Sequence, residues 1–471
     1  MLTAPGAVMV TPPLTLDGAG ASPTVPYAVP IAPPVRWDEK WRVHVFLKAA
    51  SALPGHPTRP ALSIAKHISR LLGGVWLAAG LAPGCSGERP EPAIVRDSAG
   101  VRIVEIAAPV WDEGSAWTLA AEPSLRLGAT EGNAAQEFGR IRGVLRLTDG
   151  RIVIADGTSN EIRIFSSRGE LVRTEGGQGS GPGEFQLLWS LRRFRGNAFV
   201  AWDWRTRAVS YYAPDGSFSE RLAINAITTG GAELAGAFED GGLLFMGSYL
   251  RNADRDGVNR STALFTRVGP GVGRADSVAT LPDYELDVVL EDGRVSMTME
   301  IPYSHDVHHA TTAAGFYAGA NDRFEIEQRM PDGTLVQRIR YPAVDRPITE
   351  EEAQRLEEEV IAYGNPSPGR RRNIERLFRE IERPALRPAF SGMIVDADGN
   401  LWVGDWVSGF APPQRTPERW YVFDPEGRLF GEVAMPAGFR PHDIGSDWLV
   451  GVTRDELEVE YVEVYELRKQ P

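Results

Sequence analysis

The chain is 471 residues long, 42% apolar and 24% charged, with a formal net charge of -13 at pH 7. That balance excludes a nucleic-acid binder, whose phosphates demand a basic face. The single cysteine, Cys85, excludes an intrachain disulfide framework and a cysteine-based zinc cluster.

Residues 1–60 hold eleven prolines and no apolar periodicity, and they read as disordered or as a mis-assigned start. Residues 61–85 have a different pattern. Lys66, His67 and Arg70 form a positive lead-in, Leu71 to Ala82 an apolar core of signal-peptide length, and Ser86-Gly87-Glu88-Arg89-Pro90 a polar, turn-prone sequel. The arrangement resembles a bacterial lipoprotein signal, with Ala82 standing where such signals favour leucine. The resemblance implies a lipidated Cys85 on an exported protein, periplasmic or at the cell surface, that meets the membrane through a lipid anchor only. A different export signal, or a short buried helix with an incidental thiol, also fits these residues. Residues 86–100 read as a linker. Residues 1–84 carry seven Lys/Arg against three Asp/Glu, which leaves a net -17 on the remainder.

From residue 101 to 471 one pattern recurs. RLTDGRIVIADGTSNEIRIFSSRGELVRT (Arg146–Thr174) and RFRGNAFVAWDWRTRAVSYYAPDGSFSER (Arg193–Arg221) both read as strand, turn, strand, turn, strand. Further copies are FEDGGLLFMGS with STALFTRVGPGVGRADSVA, TTAAGFYAGANDRFEIEQRMPDGTLVQRIR, VDADGNLWVGD with RWYVFDPEGRLFGEV, and DIGSDWLVGVTRDELEVEYVEVYEL, making six. In each, the second strand is expected to end in an aromatic: Phe165, Tyr212, Phe265, Phe324, Phe423 and Tyr465. Pro-Asp-Gly and Pro-Glu-Gly turns at Pro214, Pro331 and Pro425 lead to a third strand. Repeats of roughly 45 residues built only of short strands predict propeller blades. The sixth copy lacks a final strand, and Trp117 through Leu127 is the segment expected to supply it.

These blades, with GGQGSGPGEF (Gly176–Phe185), resemble the NHL-type six-bladed β-propellers of bacterial lipoproteins. The expected fold is therefore all-β, a six-bladed propeller with a short helical insertion over 349–383. Function follows only weakly from such a fold.

GGQGSGPGEF looks like a phosphate-cradling loop, but such loops lead into a helix, and a blade strand follows here. It reads as an inter-blade turn. SHDVHH (Ser304–His309) is the local cluster of metal-capable side chains, and His442 is the only histidine after Cys85 outside it. Imidazoles with Asp306 or Asp443 could ligate a divalent metal. By register, His308 or His309 and His442 both approach the ring's central channel, so His305, His308, His309 and His442 form the candidate channel ligand site. The competing reading is a solvated or hydrogen-bonded loop cluster. Thr349 and Glu352 form a capping-box signature ahead of an apolar stripe of Leu356, Val360 and Ile361. A second helix is expected over Arg370–Arg383.

The resulting expectation is a binding or scaffold module at the cell envelope, without a resident cofactor, whose partner is a small molecule, a peptide or an envelope protein. The resemblance also implies a rival: a metal-assisted enzyme of the lactonase or lyase kind using the central channel.

Overall fold

The computed structural model describes residues 91–469 apart from 113–115, 131, 228–230, 251–255, 343–345, 364–365 and 413. Cys85 and the segments 1–60 and 61–85 lie outside the described residues.

The described chain begins with a hairpin, β1 (Ala93–Ser98) and β2 (Val101–Ile106), followed by two short strands, β3 (Thr118–Leu119) and β4 (Leu125–Leu127). The first blade is β5 (Ile141–Arg146), β6 (Ile152–Asp156), β7 (Glu161–Phe165) and β8 (Leu171–Gly176). The second is β9 (Leu188–Arg193), β10 (Phe199–Asp203), β11 (Ala208–Tyr212) and β12 (Phe218–Ala223). The third has five strands, β13 (Glu233–Ala237), β14 (Leu243–Tyr249), β15 (Gly257–Val268), β16 (Ala275–Glu291) and β17 (Arg294–Glu300). The fourth contains β18 (Val307–Thr312), β19 (Gly315–Ala320), β20 (Glu325–Arg329) and β21 (Leu335–Arg340). Two helices, α1 (Glu350–Ala362) and α2 (Pro368–Glu380), precede the fifth blade, β22 (Gly392–Val395), β23 (Leu401–Gly404), β24 (Arg419–Phe423) and β25 (Leu429–Ala434). The sixth is β26 (Arg440–Ile444), β27 (Trp448–Arg454) and β28 (Glu460–Arg468), and its outer edge is completed by β3 and β4.

The first strands of successive blades, β5, β9, β13, β18, β22 and β26, touch in that order, and β26 returns to β5. The sheets therefore close into a six-bladed propeller around these innermost strands.

The packing explains why the strands lack a polar face. Ile152, Ile154 and Phe165 pack against Val450, Val452, Val462 and Val464 of the sixth blade. Val153, Ala155, Ile162 and Ile164, in the opposite phase, pack against Leu188, Phe199 and Tyr212 of the second. Each remaining blade pair encloses its own apolar cluster. Both phases of a central blade strand are thus buried, as in β6, where every residue is covered. Each fully buried side chain of this kind contributes roughly 2 kcal/mol. GGQGSGPGEF joins β8 to β9, with Gly176, Gly177 and Gly183 at φ of 96°, 118° and 80°, a region only glycine enters without strain.

Three sequence expectations need correction. Phe165, Tyr212 and Phe423 end their strands, but Phe265 and Tyr465 lie three residues inside β15 and β28, and Phe324 precedes β20, which ends at Arg329, its ring lying against Phe390, Tyr421 and Phe423 in the seam with the fifth blade. The expected linker over 86–100 is a strand from Ala93 to Ser98, because the turn at Ala99-Gly100, both with positive φ, folds it back on β2. β2 then pairs parallel with β21, adding two strands to the outer edge of the fourth blade. The second helix spans Pro368–Glu380 rather than Arg370–Arg383, since Ser367 caps it by accepting from the Arg370 amide and Pro368 occupies its first turn. The Thr349–Glu352 capping box forms as the sequence implies, and Leu356 and Val360 are buried.

Candidate functional site

The third blade's long outer strands end at Glu300, and the chain returns to the ring through a tight turn into β18. Tyr303 sits in that turn with a φ of 59°, an uncommon conformation for a bulky residue. Three groups hold it there. The Ser304 amide donates to the Ile301 carbonyl (3.1 Å), the His305 amide donates to Glu285 (2.7 Å), and the Asp306 amide donates to Asn321 Oδ1 (2.8 Å). Asn321 is 1% exposed, and its Nδ2 donates onward to the Phe390 carbonyl (2.8 Å), tying the fourth blade to the entry of the fifth.

This turn forms one wall of a cleft of about 500 Å³, lined by Glu300, Asp306, His308, Asn321 and Ser391. A neighbouring cleft of about 450 Å³ lies against α1 and is lined by Glu352, Arg355, Glu359, Arg387 and Arg415. Tyr303, Trp406, Val407 and Ser408 line both. The rings of Tyr303 and Trp406 stack with centroids 5.8 Å apart at 24°. The Tyr303 hydroxyl is buried with no hydrogen-bond partner among the described residues, although the residue as a whole is 8% exposed. Burial raises its pKa, with Arg383 working against the rise, so the group stays a neutral hydroxyl able to donate and accept.

The four candidate histidines have distinct surroundings. His308 lines the cleft, its Nε2 3.4 Å from Asn321 Nδ2 and its ring edge-on to Phe390. His305 Nδ1 lies 3.1 Å from Glu285 Oε1. His309 turns towards the third blade, with Nε2 3.4 Å from Glu233 Oε1 and its ring edge-on to Phe265. His442 lies at a bulge in β26, in the sixth blade, where the register shifts between Pro441 and Asp443. The structure thus gathers Ser304, Asp306 and His308 at the cleft and leaves His442 elsewhere in the ring. Among the described residues no group of three or more His, Cys, Asp or Glu comes together to hold a metal ion, so the donor set does not fit the divalent metal considered from the sequence.

Sequence reasoning missed Tyr303, Asn321 and Trp406. The signal available was the long aromatic loop between β23 and β24, DWVSGFAPPQRTPE, which exceeds a hairpin turn and so is a candidate for function.

Two carboxylates flanking the clefts link the face to pH. Burial works to raise Glu285, but hydrogen bonds from His305, together with Arg260, outweigh it and hold the carboxyl below the ordinary glutamate range. Burial likewise opposes Asp405, and Arg387 and Arg419, at 3.1 and 2.6 Å, again prevail. A carboxyl with a depressed folded-state pKa contributes stability above its unfolded value, about 4, and loses it as pH falls through the lower folded value. Melting temperature is therefore expected to fall steeply below about pH 4, and the drop should be shallower in Glu285→Gln. A thermal melt series across acid pH checks this, and identical slopes in both proteins would refute the assignment to Glu285.

No protein-family model and no curated protein matches the chain. Among solved structures it is similar to a member of the DUF4221 family from Bacteroides vulgatus (9% identity, covering 75% of this chain and 99% of that one, TM-score 0.45). It is also similar to a gluconolactonase from Xanthomonas campestris (12%, 74% and 100%, TM-score 0.37). A virginiamycin B lyase from Staphylococcus aureus gives a comparable likeness (10%, 75% and 99%, TM-score 0.36). With TM-scores this low, none of these likenesses carries function to this chain.

Proposed function

We propose that this propeller is an exported, lipid-anchored binding module and that the paired clefts between the fourth and fifth blades take its ligand. The observation that carries the reading is the Tyr303–Trp406 stack, shared by both clefts, with a buried hydroxyl that the described residues leave unpaired. A stacked aromatic wall beside Asp306, His308, Asn321 and Ser391 suits a small polar ligand with one flat apolar face, the chemistry of a sugar ring. An unpaired buried hydroxyl costs stability until a ligand supplies its partner.

The test screens the purified full chain against a panel of soluble mono- and oligosaccharides by calorimetry and tryptophan fluorescence. Trp406→Ala is expected to weaken a bound sugar at least about tenfold. Tyr303→Phe should weaken it too while leaving the melting temperature equal or slightly higher, because it removes an unsatisfied polar atom. Sugar binding indifferent to both substitutions would sink the cleft assignment. Stoichiometric divalent metal in the purified protein, with turnover of a lactone abolished by His308→Ala, would favour the enzyme reading instead.

Anchoring has its own test. No helix of the described residues is long and apolar enough to cross a membrane. In this reading the protein is attached through Cys85. Cys85→Ser should shift the protein from the membrane to the soluble fraction or leave its N-terminal segment uncleaved. Unchanged fractionation with an unchanged N-terminus would remove the lipoprotein claim.

A further inference from the structure

The cleft against α1 carries a set of charges that the aromatic stack does not account for. Its charged lining is Glu352, Arg355 and Glu359 from α1, Arg387 ahead of β22, and Arg415 from the loop between β23 and β24. Four of these five are already engaged. Glu352 Oε2 accepts from the Thr349 amide (3.0 Å) and hydroxyl (3.2 Å) at the helix N-terminus, where the backbone dipole also favours a negative charge. Glu359 is ion-paired with Arg415. Arg387 donates to Asp405 at 3.1 Å.

Arg355 is the exception. Glu351, Glu352, Glu358 and Glu359 stand three or four residues from it along α1, the spacing at which helical ion pairs form. Among the described residues it nevertheless makes no hydrogen bond and no ion pair. The Tyr303 hydroxyl, in the wall of the same cleft, also lacks a partner there. Arg355 and Arg383 both act on that hydroxyl electrostatically, and Arg383 is itself held by Glu350 at 2.9 Å. One cavity thus contains a guanidinium and a buried hydroxyl that nothing in the fold satisfies.

Both unpartnered groups can donate, while the carboxylates beside them are occupied, so what the cavity lacks is an acceptor. A guanidinium selects a charged one, because its fork matches two oxygens of a carboxylate or phosphate and charge-assisted bonds are about twice as strong as neutral ones. A neutral sugar would satisfy the hydroxyl and leave Arg355 to water. Arg355 is exposed, so solvent screens the attraction and limits the preference to roughly tenfold. At about 450 Å³ the cleft lies within the range of small-molecule sites. We propose that the clefts take an acidic sugar, whose ring packs on the Tyr303–Trp406 wall and whose carboxylate or phosphate group accepts from Arg355 and the Tyr303 hydroxyl. The inference rests on the reading of the clefts as a sugar site and names the kind of sugar.

The experiment titrates the purified full chain by calorimetry with glucuronate, glucose 6-phosphate and glucose at neutral pH. At least one anionic sugar is expected to bind about tenfold more tightly than glucose, by a margin that narrows as salt is added. In a chain of net charge -13 the overall field repels anions, so such a margin has to come from a local cation. A margin for glucuronate alone identifies a carboxylate as the group read, one for glucose 6-phosphate alone a phosphate ester, and one for both a site that reads charge without separating the two. Arg355→Gln should erase the margin and leave glucose binding as it was, and Arg355→Lys should keep part of it. Glutamine and lysine match arginine as helix formers, so neither change at this exposed position endangers α1. Arg372→Gln, which removes an exposed arginine of α2 outside both clefts, should keep the full margin. Equal affinity for charged and neutral sugars overturns this inference while the sugar-binding reading stands. A margin that survives Arg355→Gln, or that Arg372→Gln erases as well, also overturns it. Absence of binding by all three sugars overturns both.

Discussion

A protein lacking Trp117–Gly128 is expected to lose its single cooperative melting transition and to aggregate. This segment is the clasp of the ring. β4 pairs with the sixth blade through Leu125, Arg126 and Leu127 opposite Val464, Glu463 and Val462, and β3 places Leu119 and Thr118 opposite Leu467 and Arg468. The Ala120 and Ser124 amides donate to the carbonyls of Glu466 and Val464 at 3.0 and 2.7 Å. Trp117 packs on Trp111, Trp402 and Phe430, and the Lys469 ammonium sits 4.2 Å from its ring centre. Leu127, 1% exposed, fills the seam between the sixth and first blades. Losing a buried tryptophan costs about 3–5 kcal/mol and a buried leucine about 2–5, so together they approach the whole stability of an ordinary domain. The remaining edge of β28 would offer unpaired amides and carbonyls to another chain. With one cysteine in the chain, no disulfide can substitute for the clasp. Scanning calorimetry and size-exclusion chromatography measure the outcome. A monomer with one transition at the parent temperature would show that β28 holds the ring closed without the segment.

The clasp, the blades and the capping box were legible because each is written in local signals. Pro-Asp-Gly marks a hairpin wherever it lies, and Thr349 with Glu352 caps a helix with no reference to the rest of the chain. The missing final strand could be inferred from counting, since the sixth copy stopped one strand short. The third blade was harder. β15 and β16 run to 12 and 17 residues, well beyond a blade's width, and their outer ends carry a separate apolar cluster of Tyr284, Leu286 and Val288. Nothing in a repeat alignment announces such an extension. Site residues were less legible still. Tyr303, Asn321 and Trp406 belong to three separate loops, and only the closure of the ring brings them to one place. For the histidines, the repeat register put His308 or His309 and His442 at the approach to the innermost strands, whereas all three lie within those strands, in β18 and β26. A bulge at His442 and a contact to Glu233 at His309 then decide where each imidazole points, and neither is encoded by the spacing of the repeats.

Asp203→Ala is expected to destabilise the ring by about 3–5 kcal/mol, a fall in melting temperature on the order of 10 °C. Asp203 ends β10, is 0% exposed and has five donors. Oδ2 accepts from the Gln186 amide (2.9 Å) and Arg221 Nη2 (3.0 Å), while Oδ1 accepts from the amides of Leu187 (3.3 Å), Arg205 (3.1 Å) and Thr206 (3.1 Å). One carboxylate thereby fixes the turn after β10, the end of the glycine-rich loop and the entry of β9. Asp156 holds the equivalent place in the first blade, accepting from the amides of Arg140 and Thr158 at 3.2 and 2.9 Å. Removing the carboxylate orphans four amides and leaves the partly buried Arg221 guanidinium without its charge partner, and both effects add to the cost. Asp203→Asn should lose less, since its single carbonyl keeps part of the acceptor set. Asp215→Ala, at an exposed turn, should stay within about 0.5 kcal/mol of the parent and serves as the control. Urea titrations of the three variants separate these effects. If Asp203→Ala matches Asp215→Ala, the glycine-rich loop is held by its own backbone bonds, such as Gly179 to Phe185, and the buried carboxylate has no structural role in it.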